Sequence, residues 1–307
     1  MVHDSERLTA ASRGPDSPET AEHPPMPVIV GVPRSGTTLT RFVIDSHPLF
    51  AIPPETHFLP ALARLPRGKP SVRDVFAIMT GTQSWPDFHV SSDALMQSLS
   101  DVTPFSVAAC VRAFYRLYAS RFGKDRWGEK TPDYGQHMRD IEALLPESRF
   151  IHVIRNGLDV AVSVRPLWFS QGRSVRDIAR DWRRRLELIR RQGSQCAHYG
   201  EIRFESLVTD LPAVARDLSA FLEVPFSDDM CRYYERTAER LAEHEGRMGR
   251  HGVWRLTKEQ RINQQILTTR PPQADRIDRW RGELSADDVR EFQREAGPLL
   301  EQLGYSA

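Results

Sequence analysis

Residues 27–48 read PVIVGVPRSGTTLTRFVIDSHP, and this stretch decides the fold. Val28 to Val32 is a short β-branched run bounded by Pro and Gly. A strand covered on both faces shows such a continuous apolar run instead of alternation, so it reads as a buried strand of a parallel sheet. The residues after it place Leu39, Phe42 and Val43, with Ser46 beside them, on one face at helical spacing, and Pro48 lies beyond the end. The order is strand, Gly-containing turn, helix. Sheets of this kind bind ligands at the carboxyl ends of their strands, which makes the turn the candidate site. Against the phosphate-cradling pattern G-x-x-x-x-G-K-[ST], the turn from Gly31 to Thr38 matches both glycines and the final hydroxyl, with Thr37 where the Lys belongs. Backbone N–H groups at a helix N-terminus still suit a phosphate, and Arg34 supplies a planar fork in place of the missing ammonium. A nucleoside triphosphatase also needs an acid at another strand end to organise Mg²⁺, whereas the strand FIHVI ends in Arg155. By itself the pattern also fits a tight turn with a capped helix.

Outward from this stretch, residues 1–25 mix Pro, Ser, Glu, Asp and Ala without periodicity and read as a disordered tail. Residues 26–307 read as one domain. From about 60 to 126 the pattern is helical and interrupted (LPALARL, SVRDVFAIMTG, SDALMQSLSDV, PFSVAACVRAFYRLYASRFG), which predicts a helical insertion over the sheet. DIEALLPESR predicts a helix, FIHVIRNG a second strand and turn, EIRFESL a third strand and LPAVARDLSAFLEVPF another helix. In RSVRDIARDWRRRLELIRRQG, Ile178, Trp182, Leu186 and Ile189 form one stripe, and the Arg residues around it are expected on a solvated face. Strands alternating with helices predict an α/β, P-loop-like three-layer fold with a central, mainly parallel sheet.

Composition removes other classes. In 307 residues, 42 Lys and Arg balance 41 Asp and Glu to a net charge of +1, which argues against a general nucleic-acid binder. No run approaches the roughly 18–20 apolar residues of a membrane span, and the acidic start MVHDSERLTAASRG does not resemble a signal peptide, so a cytoplasmic setting is expected. Only four of the cations are lysines, at 69, 124, 130 and 258. Cys110, Cys196 and Cys231 are far apart and odd in number, which fits neither a disulfide framework nor a zinc site; they are expected to be buried and inert.

The string GVPRSGTTL, with His47-Pro48 and a Glu about twenty residues later, resembles the 5′-phosphosulfate loop of sulfotransferases that use 3′-phosphoadenosine-5′-phosphosulfate (PAPS). Arg155, followed eight residues on by Ser163 in RNGLDVAVS, is similar to that family's 3′-phosphate pair. From Val28 to Pro60 the chain is most similar to tyrosylprotein sulfotransferases and related bacterial enzymes; the likeness thins through the insertion and returns at EKTP, at RNGLDVAVS and near the C-terminus. The resemblance implies transfer of a sulfuryl group from PAPS, without a metal, to a hydroxyl or phenol of a small molecule or carbohydrate, or to a peptide tyrosine. It implies that Arg34 grips the phosphosulfate, that Ser35, Gly36, Thr37 and Thr38 line the 5′-phosphate, that Glu55 is the general base and that Lys130 meets the bridging oxygen.

The residues leave alternatives open. Glu55 follows Pro53 and Pro54 as an early helical carboxylate would. His57 and His47 are rival bases, because cytosolic sulfotransferases generally use His. Lys130 also reads as a loop Lys paired with Glu129. Where many relatives have Tyr in an Arg-Tyr-Glu-Asp-Leu string, this chain has Phe204, so a hydroxyl contact there is in doubt. Arg270, Arg276 and Trp280 are the candidates for further nucleotide contacts. A P-loop kinase or NTPase, and a nucleotide-binding module without catalysis, are the competing functions.

Overall fold

The computed structural model describes residues 23–65, 70–167, 172–248 and 254–305. Most of the expected tail and Lys69 lie outside these residues. The strands are β1 (Met26–Gly31), β2 (Phe50–Ala51), β3 (Arg126–Trp127), β4 (Glu129–Lys130), β5 (Ser148–Ile154), β6 (Tyr199–Arg203), β7 (Arg247–Met248) and β8 (Trp254–Leu256). The main sheet has the order β4-β1-β5-β6 and is parallel throughout; β2 and β3 form a small parallel pair, β7 and β8 an antiparallel one. Strand β1 is buried at every residue, as its apolar run predicts. Its side chains alternate between layers: Val28 and Val30 enter one core with the insertion, Ile29 another with the helix that follows the turn.

The helices are α1 (Thr37–Asp45), α2 (Leu59–Ala63), α3 (Val72–Thr80), α4 (Ser92–Ser100), α5 (Val107–Ser120), α6 (Met138–Leu144), α7 (Gly157–Val164), α8 (Val175–Gly193), α9 (Phe204–Thr209), α10 (Leu211–Phe221), α11 (Tyr234–Leu241), α12 (Lys258–Asn263), α13 (Trp280–Glu283) and α14 (Ala286–Gln302). Helices α2 to α5 are the expected insertion. Helices α3, α4 and α5 start at Ser caps, Ser71 in a capping box with Asp74, and Ser91 and Ser106 on N–H groups one turn in. Phe58, Phe88 and Phe114 meet edge-to-face inside them at ring separations of 5.0–6.4 Å.

Four expectations need correction. EIRFESL is strand only as far as Arg203, and Phe204 opens α9. Lys130 is not a loop residue but the end of β4, because Val28 pairs with Glu129 and Ile29 with Lys130. Around the α8 stripe Arg176, Arg180 and Arg184 are exposed as expected, whereas Arg185 on the helix and Arg173 before it are half-buried on a cavity wall. Cys110 and Cys196 are buried, with thiol pKa values pushed up by burial to about 11 and about 12, but Cys231 is only half-buried.

Candidate active site

After Gly31 the chain turns sharply, with Arg34 and Gly36 at φ 73° and 102°. Glycine is required at position 36 twice over, because a Cβ there would also lie 2.6 Å from the Phe204 ring. Helix α1 then begins at Thr37 with no side-chain cap and no acid in its first turn, so its N-terminal N–H groups are left for an anion. Beside it lies a cavity of about 920 Å³ whose walls include Arg34, Gly36, Thr37, Thr38, Arg155 and Ser163. Of the expected site residues on this loop, Ser35 alone is off the wall; it is 1% exposed.

Three guanidinium groups meet here. Arg34 donates to Ser163 Oγ (3.2 Å) and to the Gln264 carbonyl (3.3 Å). Arg155 leaves the tip of β5, donates to the carbonyls of Arg34 (3.1 Å) and Arg276 (2.8 Å), and lies 4.2 Å above the Phe204 ring. Phe204 therefore supplies a stacking face where a Tyr hydroxyl was in doubt. Burial lowers the Arg34 pKa and the Arg276 charge lowers it further. Burial likewise lowers Arg155 to about 10, against Asp159 and Glu205 and with Arg34 and Arg279 adding to it. Among the described residues Ser35 Oγ, Arg155 Nε, Arg276 Nε and Gln265 Oε1 are buried without a partner. Crowded cations and the orphaned donors of Arg155 and Arg276 are what an anionic ligand would relieve. Of the three further candidates only Arg276 reaches this cavity; Trp280 packs in the core with α7 and α8, and Arg270 is exposed.

A second cavity, of about 620 Å³, shares Arg34, Thr37, Thr38, Gln264 and Gln265 with the first and contains Glu55 and His57. Lys130 Nζ donates to Glu55 Oε1 at 2.6 Å, and His57 Nε2 lies 3.3 Å from Oε2. Burial alone would raise the Glu55 pKa, but Lys130 and His57 hold it well below the usual carboxylate range. Lys130 is 2% exposed and sits behind Glu55, off the cavity wall. The segment carrying Glu55 is pinned at both ends. At Ile52, the N–H bonds Asp45 Oδ1 (2.7 Å) and the carbonyl accepts from Arg41 and Arg240 (2.9 Å each). At Thr56, Oγ1 donates to the buried carboxylate of Glu129 (2.8 Å), which also accepts from Thr131 (2.6 Å) and Tyr115, while the Thr56 N–H bonds Thr131 Oγ1 (3.1 Å). Glu129 is therefore a strut held by hydroxyls, and its pKa is raised by burial. Sequence reading missed it, because a polar pair in a two-residue strand carries no apolar signal.

His47 is in neither cavity: Nδ1 accepts from the Leu49 N–H (3.2 Å), so Nε2–H donates to the Pro225 carbonyl (2.9 Å). The insertion contributes only Gln83 to the second cavity; the other walls come from residues 32–57, 132–185 and 244–265.

Comparison with known proteins agrees with this architecture. The model described as the sulfotransferase family matches residues 25–228. Protein-tyrosine sulfotransferase 1 of Danio rerio is 24% identical over 92% of this chain and 72% of its own. The sulfotransferase domain from the curacin biosynthetic pathway superposes with a TM-score of 0.57 at 22% identity, over 92% of this chain and 99% of that one. The corresponding domain of the Synechococcus PCC 7002 olefin synthase gives 0.51 at 21% identity, over 93% and 98%. Both structural likenesses concern the fold, a parallel sheet between helical layers. No described helix is long and apolar enough to cross a membrane. With its Lys-less glycine turn at the end of β1 and a family match over residues 25–228, the chain belongs to the sulfotransferase family.

Proposed function

We propose that this sulfotransferase uses PAPS as donor and a small-molecule or carbohydrate hydroxyl as acceptor, releasing adenosine 3′,5′-bisphosphate. The observation that carries the reading is the meeting of two cavities at one loop, with Arg34 on the wall of both and the Glu55–Lys130 pair at the second. In this reading the larger cavity holds the nucleotide. Arg155 and Ser163 bind the 3′-phosphate; Arg34, the Gly36 N–H, and the hydroxyls of Thr37 and Thr38 hold the 5′-phosphosulfate, while Ser35, whose N–H is taken by the Val32 carbonyl, shapes the turn. PAPS supplies an activated sulfuryl group on a phosphate leaving group. Glu55, ionised and within the smaller cavity, takes the proton of the acceptor hydroxyl. Arg34, on the wall of both cavities, meets the negative charge left on the departing phosphate, and Lys130 would join it on leaving Glu55; no metal ion is assigned a role.

The low proton affinity of Glu55 in its ion pair bears on this mechanism. A carboxylate held so far below neutrality by Lys130 and His57 is a weak base, and it strengthens as Lys130 shifts its interaction toward the donor. Donor binding and base activation are therefore linked through Lys130. The tyrosine sulfotransferase relatives favour a phenolic acceptor as the second reading, peptide tyrosine included.

Incubation with PAPS and a panel of hydroxyl acceptors, read by mass spectrometry for the gain of SO₃, tests the activity. Calorimetry tests the donor: adenosine 3′,5′-bisphosphate should bind without Mg²⁺ far more tightly than ATP. Tight binding of Mg·ATP with no affinity for the bisphosphate would instead establish the kinase or NTPase reading. Bisphosphate binding without transfer to any acceptor would point to a catalytically silent module.

A further inference from the structure

Most charged groups on the wall of the smaller cavity already have partners. Asp87, fully buried behind it, accepts from Arg247 Nη2 (2.7 Å) and from both terminal nitrogens of Arg261 (2.9 Å each). Arg185 bonds Asp133 (2.6 Å) and Asp181 (3.1 Å), and Arg173 lies 3.7 Å from Asp181. These arginines are held by acids of the protein, so their charge is largely balanced without a ligand.

His244 differs. It follows α11, is 3% exposed and lines the cavity with Glu55 and His57. Arg261 Nη2 lies 3.2 Å from its Nδ1. A guanidinium has no acceptor, so Nδ1 must present its lone pair and the ring proton must sit on Nε2. The nearest acid, Asp87 Oδ2, is 3.8 Å from Nδ1, beyond hydrogen-bond reach, and is already held by Arg247 and Arg261. Burial, with the charges of Arg261 and Arg41, brings the His244 pKa down to about 4 against the pull of Asp87, so the ring is neutral at pH 7. Nε2 is buried and has no partner among the described residues. A buried N–H donor in a fixed tautomer and without an acceptor, on the wall of a cavity, is a group that a ligand completes.

We propose that His244 is an acceptor-recognition residue whose Nε2–H donates a hydrogen bond to a second oxygen of the acceptor, distinct from the hydroxyl that Glu55 deprotonates. The inference rests on the smaller cavity being the acceptor site. It narrows the acceptor to molecules with a nucleophilic hydroxyl and another uncharged oxygen: diols, sugars, dihydroxyarenes and hydroxycarbonyl compounds. With its proton on Nε2 and its Nδ1 lone pair held by Arg261, His244 has no free basic nitrogen and cannot share the base's work.

The test uses the full chain labelled with [¹⁵N]histidine and four probes: phenol, catechol, resorcinol and hydroquinone. Long-range ¹⁵N–¹H correlation at pH 7 should show His244 as the neutral Nε2–H tautomer. An Nδ1–H tautomer or an imidazolium at that pH overturns the proposal. At least one of the three dihydroxybenzenes should move the His244 Nε2 signal and bind about tenfold more tightly than phenol, the effect of one hydrogen bond. His244→Phe should reduce that probe to the affinity of phenol, and His244→Gln, which keeps an N–H donor, should restore the preference. No preference for any dihydroxybenzene, or the same loss in both variants, overturns the proposal. Should His244→Phe fail to fold, the wild-type spectra and His244→Gln decide. The titrations are run without nucleotide, so a failure to bind adenosine 3′,5′-bisphosphate would reject the donor assignment separately.

Discussion

Arg155→Ala is the most direct perturbation of the proposed donor site. The guanidinium is 6% exposed, with Nη1 and Nη2 on the carbonyls of Arg34 and Arg276 and Nε without a partner. Two contributions separate on removing it. Loss of a charged hydrogen bond to the nucleotide should weaken adenosine 3′,5′-bisphosphate by about 1.5–3 kcal/mol. At 1.4 kcal/mol per decade, that is roughly a 10- to 150-fold rise in Kd. Loss of the two carbonyl contacts and of the stack on Phe204 acts on the ligand-free protein too, and appears as a lower Tm. Arg155→Lys keeps the charge but can neither fork between the carbonyls nor lie flat on Phe204, so an intermediate Kd is expected. Isothermal calorimetry without Mg²⁺, with thermal unfolding measured in parallel, reads both contributions. A lowered Tm with unchanged affinity would make Arg155 a strut between the donor loop and the Arg276 segment and refute its role in binding the 3′-phosphate.

The other predictions concern the base and the loop. Glu55→Gln should lower kcat by about 10²–10⁴ with modest change in bisphosphate affinity, while His57→Gln should cost far less; the reverse ranking in steady-state assays would move the base to His57. Lys130→Met should expose the proton affinity that the ion pair suppresses. The Glu55 pKa lies below its ordinary 4.5, so its pairing adds stability that is present above that pH and lost as pH falls through the folded value. In the variant the pKa rises, and an acid limb should enter the kcat–pH profile about 1–3 units above any wild-type limb, on top of a lower plateau. An unshifted limb would show that Lys130 does not set the Glu55 pKa. Gly36→Ala should destabilise the fold by about 1–3 kcal/mol in urea unfolding, because residue 36 is left-handed and a Cβ meets Phe204; a neutral result would mean that the turn relaxes freely.

The central strands and the layered fold were legible because apolar runs on β1 and β5 and amphipathic stripes such as Ile178–Trp182–Leu186–Ile189 report burial directly. The turn after β1 was legible for a different reason: a tight turn and a helix N-terminus demand particular residues at fixed spacing. Three features were not legible. Strand β4 consists of Glu129 and Lys130, buried yet charged, and only the tertiary partners Tyr115, Thr56 and Glu55 make that burial tolerable. The segment from α12 to Arg276 lines both cavities and meets Arg34 and Arg155 through the backbone carbonyls of Gln264 and Arg276, groups that every sequence carries; of its wall residues only Arg276 had been marked by its side chain. His244 gave no pattern because its tautomer is fixed by Arg261, far enough along the chain to escape any local motif.

Arg34, Lys130 and Arg155 stand at or just beyond the carboxyl ends of β1, β4 and β5, three neighbouring parallel strands joined by direct backbone pairing. The ladder spaces such strands at about 4.8 Å, so the separation of these cations is written in backbone hydrogen bonds and is indifferent to the length of the connections between them. The walls of the smaller cavity, the proposed acceptor site, belong largely to those connections and to the C-terminal segment. The chemistry is thus mounted on a fixed ruler, and the enzyme can be re-addressed to new acceptors by exchanging its outer segments while the ruler stays as it is.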